Sequence, residues 1–333
     1  MRILLAPMEG LVDAPIRETL TGVGGIDGCV TEFIRVTQGM LPPRIFYKYA
    51  PELHNRALTR AGVPVAVQLL GSDPVQMGLH GARAVALGAT QVDLNFGCPA
   101  KTVNRHQGGC VLMRQPERLH EIAAAVRRAV PASVPVTAKM RLGYDDRSMG
   151  VACAQALADA GVAEIVVHAR SKVDGYKPPA YWEDIARVRE AVPTRVIANG
   201  DIWTVTDYWR CRQASGCDDV MIGRGLVARP DLAARIKASQ RGEEIAAMTW
   251  PEVTPLIRDY AQALTTRLED TYVVGRIKQW LNYLRQGFAE ADRLWPQARR
   301  IRALEPLLRC LEQAPVSPPA PAPANSVRPV PSH

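Results

Sequence analysis

"APMEGLVDAP", residues 6–15, follows the first apolar run of the chain, "ILLAP" at 3–7, and its reading decides between two architectures. A doubly wound sheet that binds a dinucleotide carries G-x-G-x-x-G at this first strand-to-helix turn. Here the turn holds one glycine, Gly10, and no such motif. Seven more β-rich runs succeed it: "CVTEF" (29–33), "PVAVQLL" (64–70), "QVDLNF" (91–96), "VPVTAKMRL" (134–142), "EIVVHA" (164–169), "RVIANG" (195–200) and "DDVMIG" (218–223). They are apolar along their whole length rather than alternating, as strands of a parallel sheet covered by helices must be. The pieces between them, among them "DPVQMGLHGARAVALGA" (73–89), "QPERLHEIAAAVRRAV" (115–130) and "SMGVACAQALADAG" (148–161), carry apolar residues at helical spacing. They open on Asp, Gln-Pro or Ser, as helices do. Eight β-α units predict an α/β fold, a (β/α)8 TIM barrel, for which about 250 residues is usual.

From about Arg241 this rhythm stops, and "TWPEVTPLIRDYAQALTTRL" (249–268), "RIKQWLNYLRQGF" (276–288) and "WPQARRIRALEPLLRCLEQ" (295–313) read as three amphipathic helices. The expected organisation is a barrel over 1–240, a small C-terminal all-helical domain over 241–313, and a Pro- and Ala-rich tail over 314–333 that stays disordered.

The composition, 47% hydrophobic and 22% charged over 333 residues, is that of a soluble globular protein. "MRILLAPMEG" is too short an apolar run for a signal peptide, and no later run approaches a membrane span, so a cytoplasmic protein without membrane contact is expected. The seven cysteines, at 29, 98, 110, 153, 211, 217 and 310, are odd in number, scattered and without C-x-x-C, which argues against a disulfide framework and a structural metal site. A net charge of +8 suits a polyanionic partner.

In a barrel of this kind the chemistry gathers at the C-terminal ends of the strands. The polar residues there are Glu9 after the first, Gln68 in the third, Asn95 in the fourth, Lys139 and Arg141 in the fifth, His168 in the sixth, Asn199, Gly200 and Asp201 after the seventh, and Gly223 and Arg224 after the eighth. Any one of them has a bland reading as a satisfied core or edge residue. Together they would project toward one point, where unpaired burial costs ~1–3 kcal/mol per polar group. A ligand rich in carbonyls, ring nitrogens and phosphate would satisfy them at once, with the two glycine-bearing turns and Arg224 suited to the phosphate. Cys98, in "VDLNFGCPAKTVNRHQGGC" (92–110), stands at the same end as a core residue, a nucleophile or a proton donor.

"LAPMEGLVDAPIR", "VAVQLLGSDP", "VDLNFGCPAKTVNRHQGGCVLM", "VTAKMRLGYDD", "VVHARSKVDGY", "VIANGDI" and "VMIGRGLVARPDL" together closely resemble the flavin-dependent tRNA-dihydrouridine synthases, over nearly all of 1–312. "GRIKQWLNYLRQ" further resembles their C-type bacterial branch, which reduces the uridine at position 16 of the tRNA D-loop. The resemblance implies an FMN held by Pro7, Met8, Glu9, Gln68, Lys139, His168, Asn199, Gly200, Asp201, Gly223 and Arg224. It implies NADPH (or NADH) as the electron donor, hydride transfer to C6 of a flipped uracil, and a proton delivered to C5. A thiol near its usual pKa of about 8.5 is mostly protonated at neutral pH, so Cys98 is expected to be that donor, with Cys110 a structural bystander.

A tRNA needs basic surface. Between Thr271 and Cys310 stand eight Lys or Arg against three acids, a local +5. With the resemblance, Arg276, Lys278 and Gln279 are the expected phosphate contacts, Arg35, Asn95 and Tyr176 the residues near the flipped base, and Lys101 and Arg105 further candidates. A monomer is expected. Two other readings fit the sequence: a flavin barrel reducing a free pyrimidine or small enone, which would act on free uridine as well as on tRNA, and a non-enzymatic RNA-binding module, which would be colourless where a flavoprotein is yellow.

Overall fold

The structure, a computed structural model, describes residues 1–105 and 107–313. The expected disordered tail at 314–333 lies outside the described residues. Eight parallel strands form the barrel: β1 (Ile3–Leu5), β2 (Gly28–Val30), β3 (Val65–Leu70), β4 (Val92–Phe96), β5 (Val136–Gly143), β6 (Glu164–Ser171), β7 (Arg195–Asn199) and β8 (Val220–Ile222). Each pairs with the next, β8 pairs with β1, and β2 pairs with β3 through Cys29 opposite Val65, which closes the ring. A two-residue strand, Ile34–Arg35, extends β3 at its far end by pairing with Leu69 and Leu70.

The register divides the barrel interior into an apolar and a polar half. Side chains on facing registered positions of neighbouring strands point the same way, and positions two apart share a face. Leu4, Ala6, Val30, Ala66, Val166, Ile197 and Met221 pack together inside. Lys139 stands opposite Val166 and Asn95 opposite Lys139, so both point inward. Gln68, Asp93 and Thr137 follow as one registered row, and Arg141, His168 and Asn199 as another. The inward face of β3 to β7 is therefore polar toward the strand ends, where β1, β2 and β8 supply apolar filling.

Helix starts between the strands follow the local chemistry. Asp73 caps helix Pro74–Ala86 by accepting from Gln76 N at 2.9 Å, with Pro74 at the first position, where its missing N–H costs nothing. Thr204 and Asp207 form a reciprocal capping box on helix Val205–Ser215.

The chain divides into two compact units, one of 1–14 and 26–223 and one of 15–25 and 224 onward. The expected boundary followed the end of the βα rhythm at 240; the units divide earlier, at 223. In the second unit Gly25 lies so close to Ala234 that an added Cβ would fall 2.4 Å from its nitrogen. The same unit holds helices Arg224–Ala228, Leu232–Gln240, Trp250–Thr265, Asp270–Leu284, Ala289–Ala298 and Leu304–Glu312. From 241 on, the three expected helices are thus four, because the segment expected at 295–313 is broken after Ala298. Pro306 has no N–H and its ring opposes the carbonyl of Arg302, so it is accommodated in the first turn of a new helix. The aromatic residues mostly fill this core: Trp280 donates Nε1–H to Val227 O at 3.0 Å, and Trp250 donates to Leu311 O at 2.8 Å. Tyr260 meets Trp280 edge-on at 5.3 Å. Tyr272, by contrast, is exposed.

Candidate active site

The end of β4 is organised by the Asn95 side chain. Its Oδ1 accepts from the backbone N–H of Gly97 at 3.0 Å and of Cys98 at 2.9 Å, which turns the chain sharply and aims the short Cys98 side chain. A second amide braces the far side: Asn104 Nδ2 donates to Cys98 O at 3.1 Å and Ala100 O at 2.7 Å, and its Oδ1 accepts from Val111 N at 2.8 Å. Gly109, at φ +66°, packs where a Cβ would meet Cys98 O at 2.9 Å, so a side chain there would push against the turn.

Of the seven cysteines, Cys98 alone is not buried, and none is in a disulfide. Partial burial pushes its thiol up from the ordinary range, and the negative charge of Glu9 adds to this against the opposing backbone bond from Ala100 and the charges of Arg141 and Lys139. The group is therefore held as a thiol at neutral pH, the state of an acid rather than of a nucleophile. Cys110 is buried with its pKa pushed up to about 12 by burial, as suits a bystander.

Lys139 is half-buried beside this turn. Burial, followed by the like charge of Arg141, lowers its pKa to about 8, with Asp93, Cys110 and Cys98 acting in the other direction. A buried cation without a full counter-charge is a ready partner for an anionic or carbonyl-rich ligand.

Arg141 ties the site together. It is 2% exposed, and its guanidinium donates to Gly97 O at 2.9 Å, to Ser171 O at 3.0 Å and to Gly175 O at 3.0 Å. One side chain thus joins the Cys98 turn to the loop after β6. Its Cζ lies 5.1 Å from the ring centroid of Tyr176, which in turn meets His168 edge-on at 6.0 Å. Arg170, fully buried, anchors the same loop by donating Nε–H to Lys177 O at 2.6 Å and pairs with Asp201.

Gln68 is wholly buried and bonded to Asn95 and Asp93. Asn199 donates to Met221 O at 2.8 Å. Gly200, at φ +128°, leaves room where a Cβ would touch His168 at 3.5 Å, and Gly223 sits where one would meet Met8 Sδ at 3.2 Å. Both backbones are open to close approach because glycine stands there. Met8 O accepts from Val12 N at 2.9 Å, forming the turn after β1 that carries Pro7 and the exposed Glu9. The Asp201 carboxylate pairs with Arg170. Arg35, paired with Leu70, is partly exposed. Arg224 opens helix Arg224–Ala228, in the second unit.

The basic trio on helix Asp270–Leu284 is not one cluster. Arg276 donates to Gln279 Oε1 at 2.9 Å, whereas Lys278, two positions on and so turned away, donates to Arg299 O at 2.9 Å. Burial, then the charge of Arg302, lowers the Lys278 pKa.

The family model described as Dihydrouridine synthase (Dus) matches residues 4–315. The chain belongs to the dihydrouridine synthase family. Among curated relatives, the tRNA-dihydrouridine(16) synthase of Pseudomonas syringae pv. tomato is 58% identical over 300 residues, 90% of this chain and 95% of that protein. The protein of the same name from Aquipseudomonas alcaligenes is 53% identical over 315 residues, 95% of this chain and 100% of that one. That from Ralstonia nicotianae is 49% identical over 313 residues, 94% and 96% of the two chains. Among solved structures, a variant of morphinone reductase in complex with tetrahydroNAD aligns with a TM-score of 0.48 at 14% identity, over 72% of this chain and 86% of that one. In this dihydrouridine synthase family member two groups help to define the site beyond the expected ligand contacts: Arg141, placed by sequence at the end of its strand but with no partner, and Asp93, given no role by sequence. Arg141 stands two residues after Lys139 on the same strand face, and Asp93 two before Asn95. That spacing was the available signal; their partners on other strands were not legible.

Proposed function

We propose that this protein reduces a uridine of tRNA to 5,6-dihydrouridine, at position 16 of the D-loop, using FMN reduced by NADPH. The observation that carries the chemistry is the Cys98 thiol, half-buried, held protonated and aimed by Asn95 at the end of β4. Relatives named for position 16 and similar to this chain over nine-tenths or more of its length support the site in the tRNA. The donor set suits FMN: a half-buried Lys139, the amides of Gln68 and Asn199, His168, and glycines at 200 and 223 where backbone N–H groups approach closely. Pro7, Met8 and Glu9 would flank it, Asp201 would contribute backbone, and Arg224, next in the chain after Gly223, would carry counter-charge. A bound, reduced FMN supplies hydride for C6 of the uracil. Cys98 then gives its proton to C5, and Lys139 near the thiol favours the thiolate left behind.

The decisive test is to map dihydrouridine in tRNA from cells with and without this protein. Loss confined to position 16 is expected; loss at another uridine only would overturn the position, and an unchanged map would overturn the function. With a tRNA substrate the protein works in the cytoplasm, and we read it as a monomer.

Lys139 gives the pH dependence. Its folded pKa, about 8, lies below the ordinary 10.5. Between those values the unfolded chain holds a proton that the folded one has released, so the flavin-free protein gains stability from this group as pH rises through that window. Anion binding runs the other way. The affinity of the flavin-free protein for FMN is expected to fall as pH rises through about 8, and Lys139→Met to remove that limb, as flavin fluorescence titrations would read.

Reaching a base inside folded RNA costs a few kcal/mol of unstacking, which backbone contacts must offset. Arg276, Lys278 and Gln279 on the helical segment, with Arg35, Asn95 and Tyr176 nearer the base, fill that role. Arg276→Ala with Lys278→Ala should weaken tRNA binding and lower the slope of log K against log salt by about 1–2, a loss of roughly 0.7–0.9 per phosphate. An unchanged slope measured by filter binding would remove both from the interface.

A further inference from the structure

Asp93 is 1% exposed and takes no part in the proton transfer described above, yet it anchors a chain of hydrogen bonds that ends at Cys98. The direction of that chain is forced from the Cys98 end, where the N–H groups of Gly97 and Cys98 can only donate, so the atom of Asn95 that meets them must be Oδ1. This turns Asn95 Nδ2 toward Gln68, whose Oε1 accepts at 2.8 Å. Gln68 Nε2 then donates to Asp93 Oδ2 at 2.7 Å, and Thr137 Oγ1 donates to the other carboxylate oxygen at 2.6 Å. Burial raises the Asp93 pKa, against the two hydrogen bonds it accepts and the charge of Lys139, and in this arrangement both of its oxygens meet donors. Neither amide can turn over without setting donor against donor or acceptor against acceptor, and in a buried site that is costly.

The consequence lies in what Asn95 has left to offer. Two backbone N–H groups fill its oxygen, and Gln68 takes one of its two amide hydrogens. A single N–H remains, so toward a ligand Asn95 is a donor and nothing else. A donor recognises a carbonyl oxygen. Uracil and cytosine share a carbonyl at C2 and differ at C4, next to the C5 that Cys98 would protonate, where uracil presents a carbonyl and cytosine an amino group that is itself a donor. A site built to bond one such group rejects the analogue that reverses it.

We propose that Asp93 is a positioning residue which, through Gln68 and Asn95, holds the Cys98 turn in place and makes the site select uracil over cytosine. This rests on the reading that a tRNA uridine is presented beside Cys98. Asp93 acts through the two amides and touches neither substrate nor cofactor.

The test compares wild type, Asp93→Leu and Asp93→Asn, each saturated with FMN, at a pH of about 6.5, below the Lys139 pKa of about 8. Four quantities are read: the rate at which tRNA reoxidises the pre-reduced flavin, the ratio of affinities for the tRNA with uridine or with cytidine at the target position, the flavin content before saturation, and the melting temperature. Asp93→Leu should slow reoxidation by ~10–100-fold and bring the affinity ratio from ~10 toward 1, with the melting temperature little changed. Asp93→Asn, whose amide oxygen can still accept from Gln68, should restore both to within a few-fold. A merely structural role predicts instead that rate, flavin content and melting temperature fall together while the ratio stays put, and that result overturns the proposal. So does an Asp93→Leu protein with wild-type rate and ratio. If Cys98→Ala reoxidises as fast as wild type, or tRNA fails to reoxidise the wild-type flavin at all, the fault lies with the underlying reading of the site.

Discussion

Replacing Cys98 with alanine should leave the bound flavin and its reduction intact while slowing dihydrouridine formation by about 10²–10⁴-fold, the usual worth of a positioned general acid. The side chain removed is small and half-exposed, and the turn that carries it is held by Asn95 and Asn104 through backbone groups that alanine retains. Stability should therefore change little. Separating the two half-reactions in a stopped-flow instrument isolates the effect, since only reoxidation of the flavin by tRNA needs the proton. Wild-type reoxidation by the alanine variant would show that the proton comes from elsewhere.

Arg141→Lys should also be damaging, by another route. The guanidinium is a rigid fork, and it serves carbonyls at Gly97, Ser171 and Gly175 on two separate segments. A lysine carries its three donors on one atom at the end of a flexible stem and cannot span those positions. At least one buried carbonyl is then left unmet, at roughly 1–3 kcal/mol. Because Gly97 adjoins Cys98 and Gly175 adjoins Tyr176, the loss is felt both in proton delivery and in the loop after β6. A melting temperature lowered by a few degrees, with dihydrouridine formation down at least ~10-fold, is expected. A variant with normal turnover would show that the loop and the turn are held independently.

The barrel was legible because each strand is a short apolar run closed by a polar residue, and both features are local. Lys139, His168 and Asn199 could be placed at one end of the sheet for the same reason, and the structure brings them to the same inward face. What the chain does not display locally is pairing across strands. Asp93 and Gln68 are 25 residues apart and Arg141 and Gly97 are 44 apart, so which polar group answers which depends on register. Among the C-terminal helices, local patterning was outweighed at two places. Pro306 divides a segment whose apolar spacing reads as continuous, and the helical period turns Lys278 away from Arg276 although they are near neighbours in sequence.

Six of the seven sulfurs are buried, and burial raises the pKa of several, to about 12 for Cys110, Cys153 and Cys211. The folded protein therefore offers an alkylating reagent a single site, Cys98, and the unfolded protein offers all seven. Mass shift after a pulse of iodoacetamide, at a pH alkaline enough to ionise the Cys98 thiol, would count folded and unfolded molecules in the same sample, one adduct against many. Protection of the lone adduct by tRNA would report how much of the active-site mouth the substrate covers.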